Sequence, residues 1–188
     1  MLYHVSRTAG LRVLKPAVST HKKPYVYAIK NLVTGLLFGA KKDDFDFILL
    51  SDENNRPIIY ECYPDAFELV YKNKGCSIYE LAEEGFLRGM TSWSSELVCE
   101  TEVAVQNEIV VLDLYGRLLE EETKGNIVIH RYSQDMEYKA GIAKHIVDRL
   151  IRFNVDLEHC MEWEDIRFRK YYGELIKALN LVMDGHLL

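Results

Sequence analysis

The sequence predicts an α+β fold, and two observations carry the prediction. Up to about residue 131 the apolar residues come in short β-branched and aromatic runs separated by turn material. Beyond residue 132 the apolar spacing lengthens to the helical period of about 3.6. The strand-like runs are 2–6, 24–29, 46–51, 57–63, 67–72, 96–104 and 126–131. Among their separators, Lys22-Lys23-Pro24 and Lys72-Asn73-Lys74-Gly75 are turn chemistry, and Asp52 to Pro57 joins two apolar runs as a hairpin loop. Two helices interrupt this half. Asn31 caps one, with Leu32, Leu36 and Leu37 at helical spacing and an end near Gly39; the other runs from about Val111 to Thr123, with Gly125 as its stop.

In the C-terminal part, Ser133 is a candidate N-cap for a helix whose stripe is Met136, Ala140, Ala143, Ile146, Val147, Leu150 and Ile151. A second helix is predicted from about Trp163 to Met183. The predicted organisation is therefore a β-rich domain over 1–131 and a helical extension over 132–188 packed on it.

Composition narrows the function classes. A chain of 188 residues buries roughly two-thirds of its unfolded surface. With 48% hydrophobic and 28% charged residues and a mean hydropathy of −0.13, it has the composition of a soluble globular protein. No apolar run is long enough to span a bilayer and the N-terminal residues lack a secretory signal pattern, so the expected location is the cytoplasm. A net charge of −6 argues against a duplex-binding surface. The basic stretch Arg167-Phe168-Arg169-Lys170 reads as a solvated helix face. Cys62, Cys76, Cys99 and Cys160 stand singly, without zinc-site spacing, and are expected to be reduced and structural. The phosphate loop, the dinucleotide-binding glycine motif, the zincin motif and the nucleophile elbow are all missing from the sequence. His130, His145 and His159 have no partner at ligand spacing, and Glu120-Glu121-Glu122 reads as a solvated helix end.

Two short runs stand apart. Leu2-Tyr3-His4-Val5-Ser6 is a strand with a histidine at its centre, on the same face as Leu2 and Ser6. Tyr25-Val26-Tyr27-Ala28 follows some twenty residues on and leads directly into a short helix ending Phe38-Gly39-Ala40. Together they resemble the opening of the ADP-ribosyltransferase fold in its His-Tyr-Glu form, found in rifampin ADP-ribosyltransferases, RNA 2'-phosphotransferases and toxin-type mono-ADP-ribosyltransferases. There a first strand carries YHG(T/S) and a later strand VY(F/A)(T/S). The resemblance covers about 40 residues well and a further 90 loosely, and it leaves out the helical C-terminal part.

The resemblance implies a split β-sheet body with short helices, NAD as co-substrate, and an acceptor that the sequence does not identify. The resemblance also implies that His4 hydrogen-bonds a ribose hydroxyl of NAD, that Tyr27 stacks on the nicotinamide, that Ser6 is a further cofactor-binding residue, and that a late carboxylate lies beside the scissile bond. That carboxylate would stabilise the oxocarbenium-like charge that develops as nicotinamide leaves. Glu96, preceded by Ser94-Ser95 and followed by Leu97-Val98, is the preferred candidate. Glu102, in Glu100-Thr101-Glu102-Val103, and Glu108, in Asn107-Glu108-Ile109-Val110-Val111, are the alternatives. One departure stands out: Val5 occupies the position of the family's glycine. The alternatives to an enzyme are a silent nucleotide-binding member of the fold and a protein-interaction module working through the C-terminal helices. The acceptor-selecting loops would be 15–24, 41–45 and 73–94, and the oligomeric state is not readable.

Overall fold

A computed structural model describes residues 1–18, 23–42, 45–91 and 93–153, together with Lys170, Tyr171, Gly173 and Lys177. The fold is α+β. It forms two compact units, neither continuous in sequence: Met1–Lys41, Glu53–Pro57 and Tyr71–Ile127 make the first, and Lys42–Asp52, Ile58–Val70 and Val128–Leu188 the second. Segments 42–52 and 58–70, which periodicity grouped with the β-rich body, thus lie in the second unit.

In chain order the elements are β1 (Leu2–Ser6), β2 (Val13–Leu14), β3 (Ala17–Val18), β4 (Pro24–Ile29), α1 (Leu32–Leu36), β5 (Phe47–Ser51), β6 (Pro57–Glu61), α2 (Ala66–Tyr71), β7 (Cys76–Leu81), β8 (Leu87–Arg88), β9 (Glu96–Cys99), β10 (Val103–Ala104), β11 (Asn107–Val111), α3 (Leu114–Thr123), β12 (Val128–His130) and α4 (Met136–Phe153). The first unit is built on a sheet in the order β11-β7-β1-β4-β9-β8, with β3 also paired to β4. Every pairing in it is antiparallel.

Alternation gives this sheet two different faces. Leu2, Val26, Ala28, Tyr79, Leu81, Leu97 and Cys99 form a buried cluster on one, covered by Leu14 and Val103 of the small β2–β10 sheet and by Leu11 and Phe86. The other face is approached by α1. A Cβ on Gly35 of that helix would stand 3.2 Å from Ile29 Cγ2 and 3.3 Å from Val5 Cγ2, so the absent side chain is what lets the helix lie close. Asn31 caps α1 as expected, its Oδ1 accepting the Thr34 N–H at 3.0 Å. Asp113 does the same for α3 from the Gly116 N–H, and Gly125 at φ 75° ends that helix.

Gly39 follows α1 where there is no room for a methyl group. A Cβ there would meet Cys76 Sγ at 2.8 Å and Leu114 Cδ2 at 2.9 Å, both residues being buried. Gly39→Ala should therefore cost about 1–3 kcal/mol through overpacking. The check is a urea melt, in which an unchanged midpoint would mean that the turn after α1 gives way freely.

The second unit holds a sheet in the order β12-β6-β5, with β12 parallel to β6 and α4 packed against β5. The loop before Pro57 turns at Asn55, φ 59°, and joins strands that are neighbours in this sheet, as a hairpin loop should. The run 67–72 is a correction: it is helical, in α2, not a strand. Phe67, Val70 and Tyr71 are buried while Leu69 is exposed, which is helical spacing compressed into six residues. Ser133 does not sit directly before α4. Its Oγ accepts the Asp135 N–H, and the Asp135 carbonyl begins the helical hydrogen bonds by accepting from Lys139. The helix expected over 163–183, and Cys160, fall almost wholly outside the described residues. Among the described residues, no helix is long and apolar enough to cross a membrane.

Candidate active site

The sheet sets the three expected site residues on three neighbouring strands. His4 is on β1, Tyr27 on β4 and Glu96 on β9, from segments up to 92 positions apart in sequence. On β4 and β9 the register pairs Tyr27 with Val98 and Ile29 with Glu96, so the Tyr27 ring and the Glu96 side chain leave the same face. Burial foremost, then the negative charge of Glu96 and then neighbouring Tyr25, pushes the Tyr27 phenol above its ordinary range. That phenol stays protonated at neutral pH.

His4 meets Tyr27 differently. It lies opposite Tyr79 in the β1–β7 ladder, so its side chain leaves on the face of the Leu2, Tyr79 and Leu97 cluster, opposite to the Tyr27 ring. The link between the two is the backbone: His4 Nδ1 stands 2.7 Å from the Tyr27 carbonyl oxygen. A carbonyl only accepts, so Nδ1 carries the proton and Nε2 keeps its lone pair. The register explains why a ring can reach that carbonyl. β1 pairs with β7 at all five residues, but with β4 at Tyr3–Ile29 among the described residues. Where the two strands cease to pair, the imidazole takes over a backbone hydrogen bond.

Burial pulls the His4 imidazole below its ordinary pKa, against the opposing effect of the bond to Tyr27. With the folded pKa below the unfolded value of about 6.5, the unfolded chain takes up the proton first. His4 therefore favours the fold above about pH 6.5, and stability drains away as the pH falls from there. His4→Asn should flatten the dependence of the urea midpoint on pH between about 7 and 5. A slope as steep as that of the wild type would assign it elsewhere. Glu83, Glu108 and Glu121, all held below the ordinary carboxylate range, act at lower pH and do not confuse the result.

No protein-family model, no curated protein and no solved structure matches the chain.

The other expected residues fall in distinct places. Ser6 ends β1, and its Oγ accepts the Thr8 N–H at 3.1 Å, turning the chain after the histidine. Glu102 lies on the surface in an ion pair with Lys15 at 3.3 Å. Glu108 is on β11, two strands from β1, where its Oε1 accepts the Gly10 N–H at 2.9 Å and lies 3.2 Å from the Tyr79 hydroxyl. That hydroxyl also donates to the Thr8 carbonyl at 2.6 Å, and it lies 3.2 Å from the Leu11 N–H. Glu108 and Tyr79 together hold the loop that follows the His4 strand. No local signal in the sequence marks Tyr79, because its partners are backbone groups about 70 residues away. Val5 leaves the sheet on the Tyr27 face, with its γ-methyl group turned toward Gly35 of α1. Among the described residues no group of three or more metal-ligating side chains gathers.

Proposed function

We propose that the first unit is an NAD-dependent mono-ADP-ribosyltransferase-like module of the His-Tyr-Glu type, working in the cytoplasm. The supporting observation is the strand order β1-β4-β9, which brings His4, Tyr27 and Glu96 to adjacent strands and sets Glu96 where its charge acts on the Tyr27 phenol. In this reading Tyr27 offers its ring to the nicotinamide, while His4, whose ring leaves the opposite face, holds the Tyr27 carbonyl through Nδ1 and so positions the stacking residue. Ser6 shapes the turn after β1. Glu96 stands beside the bond that breaks, where a fixed carboxylate shielded from water lowers the energy of the developing cation. The hydrogen-bonded role of Glu108 and the solvated ion pair of Glu102 favour Glu96 among the three carboxylates.

A second reading rests on its own observation. Val5 sits on the Tyr27 face in the position where the family's glycine lets the backbone approach the nicotinamide amide, and the His4 ring leaves the opposite face. Both features suit a member of the fold that binds a nucleotide without turning it over. One experiment separates the two: incubation with NAD, following binding and nicotinamide release for wild type, His4→Ala and Glu96→Ala. Release that both substitutions abolish supports the enzyme, and binding without release supports the silent form. An absence of binding would leave a protein-interaction module.

A further inference from the structure

We propose that the Tyr25 hydroxyl is a ligand contact in this site, donating to the amide substituent of a nicotinamide-type ring seated on Tyr27; this rests on the reading of the site as one for NAD. Tyr25 lies on β4 two residues before Tyr27, hence on the same face, and only 3% of it is exposed. Its ring meets Tyr27 edge-on, at 5.9 Å and 90°. Among the described residues its buried hydroxyl oxygen has no hydrogen-bond partner.

Such a group weakens the fold, because it gives up its hydrogen bonds to water and receives none in return. Phenylalanine would fill the same space without that penalty, so the hydroxyl is explained by a partner that arrives with a ligand. The register shows what kind. Along this face Glu96 lies beside Ile29 on one flank of Tyr27 and Tyr25 on the other. A planar ring on Tyr27 thus has a carboxylate toward one edge and a phenolic donor toward the other, which suits a heteroaromatic ring joined to a sugar on one side and carrying an amide on the other. The Tyr27 hydroxyl donates to the Lys23 carbonyl at 3.5 Å, so seating a ring beside the Tyr25 hydroxyl would require Tyr27 to shift and give up that bond.

The test is calorimetric titration of wild type and Tyr25→Phe with NAD, nicotinamide and ADP-ribose, with a thermal melt of each protein. The expected result is NAD and nicotinamide binding about five- to tenfold weaker in the variant, ADP-ribose binding unchanged, and a melting temperature no lower than that of wild type. NAD binding that is equal in the two proteins would overturn the role of Tyr25 and leave the NAD reading intact. An ADP-ribose affinity that falls as much as that of NAD would overturn the assignment to the ring, and a lower melting temperature with unchanged affinity would make the hydroxyl structural. Wild type that binds none of the three ligands would overturn the NAD reading itself.

Discussion

Glu96→Gln is expected to slow nicotinamide release by about 100-fold or more while changing NAD affinity by less than about threefold. The asymmetry follows from when the charge exists. In the proposed NAD complex the ribose carbon facing the carboxylate carries little excess positive charge; as the glycosidic bond lengthens it would become oxocarbenium-like, and only then does the negative charge matter. Glutamine keeps the shape and one acceptor oxygen but not the charge, so the loss falls on the chemical step. Next to Tyr27 the effect also has a spectroscopic witness. Glu96 is one of the groups that raise the Tyr27 phenol pKa, and Glu96→Gln should lower it in a pH titration of tyrosine absorbance. A fall in the phenol pKa without any loss of release would leave Glu96 as a neighbour of Tyr27 and remove it from the chemistry. A rate loss with an unmoved phenol would mean that the two groups do not share a site.

How much of this was legible in the sequence depends on whether a signal was local. The cap at Asn31 and the stop at Gly125 are local chemistry, and both stand where spacing put them. The strand β7 was missed because all but Glu80 of its residues are buried, which erases the alternation that marks a half-buried strand. β11 was read only as flanking sequence for Glu108; as an edge strand with only Val111 buried, it too lacks alternation. The run 67–72 misled for the opposite reason. Its aromatic and β-branched residues carry strand propensity, and tertiary burial of Phe67, Val70 and Tyr71 overrode it. At the candidate site the residue types were visible, but their relation was not. That His4 would bond a carbonyl rather than a side chain follows from where β1 and β4 stop pairing, and register is a property of two segments that neither carries alone.

Glu61 is where a single substitution should cost the fold most. It is 3% exposed at the end of β6, and its two carboxylate oxygens each accept a backbone N–H: Phe67 at 2.7 Å to Oε1 and Tyr132 at 2.8 Å to Oε2. The first of these caps a backbone N–H in the opening turn of α2, and the second holds the chain between β12 and α4. The Glu61 backbone carbonyl accepts from the Tyr138 hydroxyl of α4 at 2.9 Å, so one residue joins a strand, a short helix, a connection and a long helix within the second unit. Glu61→Leu preserves bulk and removes both acceptors, leaving the buried Phe67 N–H and the part-buried Tyr132 N–H without their carboxylate partner. At about 1–3 kcal/mol for each orphaned donor, the expected loss is about 2–6 kcal/mol. Glu61→Gln should fall between, because its amide keeps one oxygen for one donor but points an N–H at the other. The measurement is urea unfolding followed separately by near-ultraviolet circular dichroism and by exchange of the Phe67 and Tyr132 amides. Both amides should lose protection together in Glu61→Leu. Protection retained at either one would show that another acceptor replaces the carboxylate there, and that the α2 end and the approach to α4 are held independently.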